Sequence, residues 1–526
     1  MLKPLLNPRP RLRALCLSLL MLPGAALPQG AAVLPTLGDS VSEQVGLQDE
    51  RKYGDWIMSQ VRLDPSVLDD PLLQAYIESL WQPLMQAARA QGQISEELME
   101  RFAWETLLVR ERNINASAWP GGYFVFNLGL LAMTADRDEL ASVMAHELSH
   151  VTQRHIARGV AGEGKSTAIT ILGALLGILA ASKTGSTDVA IGVMSAAQTE
   201  AQRQKLSFSR DMEREADRVG HAVLVGGGYE ASGMARMFLR LEQSTRLMDN
   251  GAFPYLRSHP LNSERIAEAR QRAGLDAASG ASQGLLRHAL MAARARVLMD
   301  ERAEALQSAA ALEVGARDAD ATAQIAARYS AALAAYKLRQ RDRAEGALRA
   351  AATWLPKLGE ADRTLARALL DQLRAEGAAL MGDGEAAQAA LAPYAEQKDL
   401  PLMLLRAEVA AAPGTPPAAR TAALEALQTH LALQPKDAPA WRRAALLWEQ
   451  QGQPLRAVRA RAEGHAAIGD LRGAIDRLRA GLRLSRAPGA DPVEASVIDA
   501  RLRALFYERR SQLQELYPRG LPPDAE

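Results

Sequence analysis

The sequence is poor in the features that three common classes of protein require. It has 526 residues but one cysteine, Cys16, so no disulfide can form within the chain. Aromatic residues make up 5%, and 62 basic residues nearly balance 61 acidic ones, giving a formal net charge of +1. Because a nucleic-acid binder needs a basic surface and stacking side chains, we predict no nucleic-acid partner. The apolar runs at 14–22 and 168–181 are shorter than the roughly 20 residues that span a bilayer.

The first 26 residues have the order of a secretory signal peptide. Basic residues precede the apolar run at 14–22, and Gly24 and Ala26 supply small residues after it. Cleavage after Ala26 fits this pattern, and sites as late as residue 32 remain open. Removal of the segment takes away Cys16 and four basic residues, which leaves 58 basic and 61 acidic residues and a net charge of −3. We therefore predict an exported protein without disulfides.

Two composition regimes follow the predicted signal. Residues 33–275 mix aromatic, Gly and charged residues, with predicted helices at 64–90 and 95–111 and one predicted strand at 122–127. Beyond a seam near 275–285 the chain is rich in Ala, Leu and Arg, and Gly or Pro interrupts it every 15–20 residues or so. At this length at least two domains are expected, and the fold class is α+β and predominantly helical.

The second region, 284–520, has the spacing of tetratricopeptide repeats. In the second helix of such a repeat, a small residue, a large apolar residue, a small residue and Pro recur, and Ala344, Leu348, Ala351 and Pro356 match this order. Further anchor alanines at 387, 423 and 457 lie 43, 36 and 34 residues apart along the chain. We predict an all-α repeat solenoid here, with a generic alanine-rich bundle as the alternative.

The sequence His146-Glu147-Leu-Ser-His150 carries the clearest chemical signal. Residues four apart on a helix share one face, so both histidines can direct a ring nitrogen at one metal ion. Glu147 is then placed to act as a general base on an activated water and to return the proton to a leaving amine. Two exposed helix histidines are the alternative interpretation of this short pattern.

A second acidic helix is predicted about sixty residues downstream, over 209–220. Glu213 and Asp217 are four apart and share a face, whereas Glu215 points away from Glu213. We assign Glu213 as the third metal ligand and Asp217 as the acceptor that orients a ligand histidine. The alternative is a solvated charged face, because neighbouring arginines could pair with these acids.

These motifs together resemble the M48 family of zinc metallopeptidases. The match extends to the segment 115–122 and its following strand, to His155, and to Ser258-His259-Pro260 with Arg265. The resemblance implies a zincin-like domain with a small sheet, one Zn²⁺ per chain, and a periplasmic branch of the family with C-terminal repeats. It also implies clients among unfolded or misassembled outer-membrane β-barrel proteins and their assembly machinery, and an association with the outer membrane.

Three further assignments depend on this resemblance. The strand with Gly122, Tyr123, Phe124 and Val125 is expected to be the edge that pairs with an extended substrate, and an ordinary core strand is the alternative. His259 is expected near the zinc, either as a fourth ligand that keeps the enzyme latent or as a donor to the oxyanion. A purely structural histidine is the alternative. The segment 168–181 is expected to form a buried lid or a peripheral membrane contact.

The sequence thus predicts a secreted zinc endopeptidase with a repeat domain that binds a client or partner. Its alternative is a chaperone or scaffold whose metal site is latent or structural. Retention of Glu147 favours the protease, because a structural site needs no adjacent general base. On an ideal helix His155 points about 140° away from His150, which places it beside a ligand or at the surface.

Overall fold

The computed structural model describes residues 46–160, 209–247, 253–274, 284–311 and 320–516. The predicted signal peptide, the segment 168–181 and most of the predicted seam lie outside these residues. None of the helices in the described ranges is long and apolar enough to cross a membrane.

The first helices differ from their predicted bounds. They are α1 (Leu47–Val61), α2 (Pro71–Ala90) and α3 (Glu96–Arg101). The predicted start at Asp64 is wrong, because the Asp64 carboxylate accepts from the Ser66 N–H in a turn. Helix α2 begins instead where Asp70 accepts from the Leu73 N–H at 2.9 Å and Pro71 is the first helical residue.

The predicted helix at 95–111 is wrong beyond Arg101, because its second half is a strand. The sheet has three strands where the sequence predicts one: β1 (Glu105–Val109), β2 (Ala116–Trp119) and β3 (Tyr123–Asn127). Their order is β1-β3-β2, with β1 parallel and β2 antiparallel to β3. A bridge between Val67 and Val109 extends the β1 side.

The expectation that β3 is the substrate-pairing edge is also wrong. Strand β3 is central, and both of its neighbours are occupied, so its backbone cannot take a further strand. Tyr123 and Val125 pack toward α1, and Phe124 lies in the main core. Gly122 adopts a left-handed φ of 81° in the turn after β2, where a Cβ would lie 2.9 Å from the Cβ of Phe102. Within the described ranges, β2 pairs with β3 alone.

Short and medium helices complete the part of the chain that holds the predicted motifs. They are α4 (Leu128–Met133), α5 (Arg137–Thr152), α6 (His155–Val160), α7 (Arg210–Gly226), α8 (Gly233–Leu247), α9 (Tyr255–Ser258) and α10 (Ser263–Ala273). One face of the sheet, with Phe124 and Phe126, shares a core with α2 and α5. The sheet therefore lies against the helix that carries His146 and His150.

The described residues of the C-terminal region form α-helices joined by turns and by two short 3₁₀ segments, Leu355–Lys357 and Ala392–Tyr394. Its helices are α11 (Leu285–Leu298), α12 (Ala303–Ala311), α13 (Ala321–Lys337), α14 (Arg341–Ala352), α15 (Glu360–Leu380), α16 (Gly384–Leu391), α17 (Leu400–Ala411), α18 (Pro417–Leu433), α19 (Ala438–Gln450), α20 (Pro454–Ala467), α21 (Leu471–Leu484) and α22 (Pro492–Leu516). The anchor alanines 344, 387, 423 and 457 are all buried, which agrees with a small residue being needed where successive helices approach closely.

A buried arginine links this region to the helices around the sheet. Arg294 on α11 donates from Nε to Asp70 at 2.8 Å and pairs with Glu376 on α15 at 2.9 Å. Its Nη1 also donates to the Tyr329 hydroxyl at 3.2 Å. Because Arg294 is only 5% exposed, these partners replace the water that its charge would otherwise require.

We expect Arg294→Ala to lower the free energy of unfolding by about 3–5 kcal/mol, because it leaves Asp70 buried beside an unpaired Glu376. The measurement is urea denaturation of the full chain. Arg302→Ala is the control, because Arg302 pairs with Asp300 but its side chain is 70% exposed, so that water screens the pair. Equal urea denaturation midpoints for the two variants would contradict a stabilising role for the buried contacts of Arg294.

Candidate metal centre

Helix α5 directs the side chains of His146 and His150 at the same point. Asp136 caps the helix by accepting from the N–H groups of Asp138 and Glu139, both at 2.9 Å. The two histidines are four residues apart, and their Nε2 atoms lie 3.0 Å from each other. Both imidazoles are almost fully buried, so they form an interior pair and not the exposed helix face of the alternative interpretation.

Helix α7 brings two carboxylates to these histidines. Gly220 permits the approach because it has no side chain. A Cβ at this position would lie only 3.1 Å from the Ala145 carbonyl oxygen and from the His146 backbone nitrogen. Asp217 Oδ1 lies 3.0 Å from His146 Nδ1. The oxygens of Glu213 lie 3.5 Å from His146 Nε2 and 3.6 Å from His150 Nε2. Sequence reasoning did not single out Gly220, although a glycine in a helix facing another helix is a signal for close packing.

His259 approaches the same point from the end of α9. Its Nδ1 lies 3.3 Å from His146 Nε2 and 3.0 Å from Glu213 Oε1. The Tyr255 ring stacks on the His259 ring with centroids 4.6 Å apart, and the His259 N–H donates to the Tyr255 carbonyl at 2.9 Å. The turn thus holds the imidazole in a fixed orientation, and the side chain is 3% exposed.

The spacing of these four side chains fits a tetrahedral zinc ion. Zinc–nitrogen and zinc–oxygen bonds of about 2.0–2.1 Å put tetrahedral ligands about 3.3 Å apart. With Glu213 Oε1 as its donor atom, four separations among His146, His150, Glu213 and His259 run from 3.0 to 3.6 Å. All four groups are buried, and their candidate ligand atoms lie within 4.8 Å of one another. A buried set of nitrogen and carboxylate donors is the donor chemistry that zinc prefers.

Glu147 lies beside the four donors without belonging to them. Its Oε2 accepts from the Ala118 N–H at 3.0 Å, so the edge strand β2 fixes the carboxylate. Its Oε1 is buried, makes no hydrogen bond within the described residues, and lies 3.5 Å from His259 Nε2. An unsatisfied buried carboxylate oxygen is costly, and it marks a position for a proton-bearing ligand such as water.

Arg265 sets the electrostatics around Asp217. It donates from Nε and Nη2 to the two carboxylate oxygens at 2.7 and 2.8 Å. Burial favours the neutral acid, but the hydrogen bonds from Arg265 and His146 outweigh it and hold the pKa of Asp217 below its usual value. Asp217 is therefore an ionised acceptor for the His146 Nδ1–H, which leaves Nε2 of that ring facing the other donors.

The same charges act on the donors themselves. Burial lowers the pKa of His146, but its contacts with Asp217 and Glu213 outweigh burial and raise it to about 9. Burial and the neighbouring histidines lower the pKa of His150, so that ring is neutral. The pKa of Glu213 is lowered despite its burial, chiefly by His259 and His146. The raised pKa of His146 means that a proton competes with a metal ion for this ring.

The structure does not place every singled-out residue in the cluster. Glu215 lies outside the four donors and accepts from Arg158 at 2.8 Å. His155 is buried next to His150, so it is not a surface residue. His288 contacts the Tyr76 hydroxyl at 2.7 Å, and His430 and His465 pair with aspartates of the C-terminal region.

Two histidines and a glutamate that converge on one point, with a further buried glutamate beside them, are the arrangement of a zinc metallopeptidase. The chain belongs to peptidase family M48, whose family model matches residues 71–273. This family is zinc-dependent, and the match includes all four donors and Glu147.

Several bacterial relatives carry the name β-barrel assembly-enhancing protease. The chain is 34% identical over 345 residues to a protein that is assigned this name in Vibrio cholerae serotype O1. The aligned residues cover 64% of this chain and 67% of the relative. The Escherichia coli (strain K12) protease is 32% identical over 248 residues, covering 47% of this chain and 48% of the relative. The Yersinia pestis protease is 33% identical over 241 residues, covering 46% and 47%. The match thus spans about half the length of the last two relatives.

Proposed function

We propose that this chain is a periplasmic zinc endopeptidase that cleaves unfolded or misassembled outer-membrane β-barrel proteins. One observation carries the proposal: Glu147 holds an unsatisfied buried oxygen next to four buried metal donors. A structural metal site has no use for such a group. The names of the bacterial relatives support the substrate class.

In this proposal His146, His150 and Glu213 hold the zinc ion. When bound, zinc supplies a Lewis acid that polarises the scissile carbonyl and acidifies water. Glu147 takes the proton of the attacking water on Oε1, while the Ala118 N–H keeps its other oxygen in place. The carboxylic acid then returns that proton to the leaving amine. Asp217, fixed by Arg265, holds His146 in the tautomer that leaves Nε2 free for the metal.

The substrate-pairing edge in this proposal is β2 and not β3. The Asn127 N–H donates to the Asn115 carbonyl. The backbone N–H and C=O groups of residues 115, 117 and 119 therefore point toward β3, and those of the residues between them point away from it. The backbone N–H and C=O groups of Ala116 and Ala118 therefore point away from β3, and among them the Ala118 N–H is already donated to Glu147. An extended peptide added at this edge would run next to the general base. Backbone pairing with little side-chain selectivity suits a protease that acts on unfolded β-strand proteins.

His259 completes the donor set in this conformation. A catalytic zinc site keeps one position open, whereas four protein donors close it. We therefore interpret the structure as a latent resting state in which His259 occupies the position that the substrate needs. The closed set also suits the scaffold alternative, but the orientation of Glu147 by Ala118 favours latency over a purely structural metal.

The remaining assignments complete the proposal. The segment 1–26 acts as a signal peptide, and export places the protein in the periplasm. The C-terminal helices are tetratricopeptide repeats that bind a client or the assembly machinery. The burial of the anchor alanines supports this assignment of the helices.

Metal removal tests the proposed activity directly. We expect the zinc-loaded full chain to cleave an unfolded outer-membrane β-barrel protein, a chelator to abolish cleavage, and one equivalent of Zn²⁺ to restore it. The measurement is the appearance of fragments on a gel, with a folded globular protein as the control substrate. Cleavage that persists after verified zinc removal would contradict a metallopeptidase.

Complementation distinguishes the protease from the scaffold. The host is an Escherichia coli strain without its own β-barrel assembly-enhancing protease, and the readout is the outer-membrane permeability barrier. We expect the wild-type chain to restore the barrier and Glu147→Gln to fail. Equal restoration by both would favour a chaperone or scaffold over a protease.

A further inference from the structure

The two histidines of α5 are held by different partners at Nδ1. His146 Nδ1 faces the carboxylate of Asp217 at 3.0 Å. His150 Nδ1 faces another imidazole, because Nδ1 of His155 lies 2.9 Å away. The far nitrogen of that second ring, His155 Nε2, lies 3.0 Å from Glu215 Oε2. A histidine and a carboxylate therefore stand in line behind His150.

The backbone explains why an ideal helix did not predict this contact. Helix α5 ends at Thr152, and Arg154 adopts a left-handed φ of 53°, which is rare for a residue other than glycine. This turn directs the chain back, so His155 begins α6 facing His150. Arg154 is held in place by the buried Glu50 on α1, which accepts from its Nε at 2.9 Å and its Nη2 at 2.7 Å. The buried ion pair thus holds the left-handed turn and, with it, the position of His155.

Metal binding by His150 Nε2 would set the proton positions along this line. If His150 offers Nε2 to a metal, its Nδ1 must carry the hydrogen. His155 then has to accept that hydrogen at its own Nδ1, so its proton is on Nε2. That Nε2–H donates to Glu215, whose Oε2 is also held by Arg158 at 2.8 Å. Every nitrogen of the two rings then has one compatible partner.

We propose that His155 and Glu215 are positioning residues that hold His150 in its metal-binding tautomer through an imidazole–imidazole–carboxylate relay. This inference depends on the proposed metal centre. Asp217 does the same for His146 through a single carboxylate, so the two ligand histidines are supported by two independent hydrogen-bond chains. The relay contributes to metal affinity because it fixes the ring orientation before the metal binds.

The test measures zinc affinity and not proteolysis. Full-length variants are titrated against a chromogenic chelator, which gives the zinc dissociation constant. We expect His155→Ala to weaken zinc binding roughly 10- to 100-fold, the range typical of such outer partners. His155→Gln retains an acceptor oxygen near His150 and should recover most of the affinity. Glu215→Ala removes only the end of the relay and should lie between the wild type and His155→Ala.

Two comparisons separate positioning from a merely structural role. His465→Ala removes a similar histidine–carboxylate pair, 2.8 Å from Asp470 in the C-terminal region, and should leave zinc affinity unchanged. Thermal unfolding in excess chelator should show that the metal-free His155→Gln variant is as stable as the metal-free wild type. An affinity of His155→Ala within twofold of the wild type would overturn the relay, and so would a His155→Gln variant as weak as His155→Ala. A wild-type chain that binds no zinc would instead overturn the metal centre itself.

Discussion

Replacing Glu147 by Gln is expected to reduce proteolysis by about 10²- to 10⁴-fold, the range that a general acid–base group contributes. The amide cannot take up the proton of the attacking water, although it has the same size as the carboxylate. It can still accept from the Ala118 N–H, so the local geometry is expected to persist. Zinc binding should also persist, because Glu147 is not one of the four donors.

The comparison needs both zinc content and cleavage rate for each variant. Glu268→Gln is the matched control, because Glu268 lies on α10 and pairs with Arg272 away from the donors. It should cleave at the wild-type rate. If Glu147→Gln retained its zinc and cleaved as fast as the wild type, the proposed role of this carboxylate would be wrong.

The sequence predicts the centre of the site because its signals are local. The i, i+4 spacing of His146 and His150, and of Glu213 and Asp217, requires only that each segment is helical. The structure has helices at both places, where His146, His150 and Glu213 meet and Asp217 contacts His146. Membership of a zinc-dependent family was predicted from the same residues and is confirmed by the family match over 71–273.

The errors concern contacts between residues distant in sequence. Asp64-Pro65 and Asp70-Pro71 carry the same signal for a helix start. The Leu68 N–H donates to the Leu108 carbonyl at 2.9 Å. The segment that follows Asp64-Pro65 therefore lies against β1 and does not form a helix. Strand β1 itself exists through its parallel pairing with β3, which no local pattern reveals.

His155 is the clearest case of a prediction limited by its assumption. The angle of about 140° from His150 holds only on a continuous ideal helix. The left-handed Arg154 ends that helix, and Glu50 on α1 determines this conformation from a distant part of the chain. Sequence spacing alone could not show the turn, so it could not show the relay.

Replacing His259 by Ala is expected to raise proteolysis about tenfold or more, because a latent enzyme populates its open state in roughly 10% of molecules or fewer. The variant removes the donor that lies 3.3 Å from His146 Nε2 and leaves His146, His150 and Glu213 to hold the zinc. It is assayed at saturating Zn²⁺, because loss of one ligand also weakens binding of the ion.

The competing role for His259 predicts the opposite sign. If its imidazole stabilised the oxyanion, His259→Ala would lose about 10²- to 10³-fold in rate. Initial rates of cleavage of an unfolded β-barrel substrate decide between the two roles. His430→Ala, which removes a histidine paired with Asp437 in the C-terminal region, should leave the rate unchanged. The combined variant His259→Ala with Glu147→Gln should be inactive, because any activity released by the first substitution must still pass through the general base. A lower rate for His259→Ala alone, with zinc still bound, would refute latency and assign His259 to catalysis.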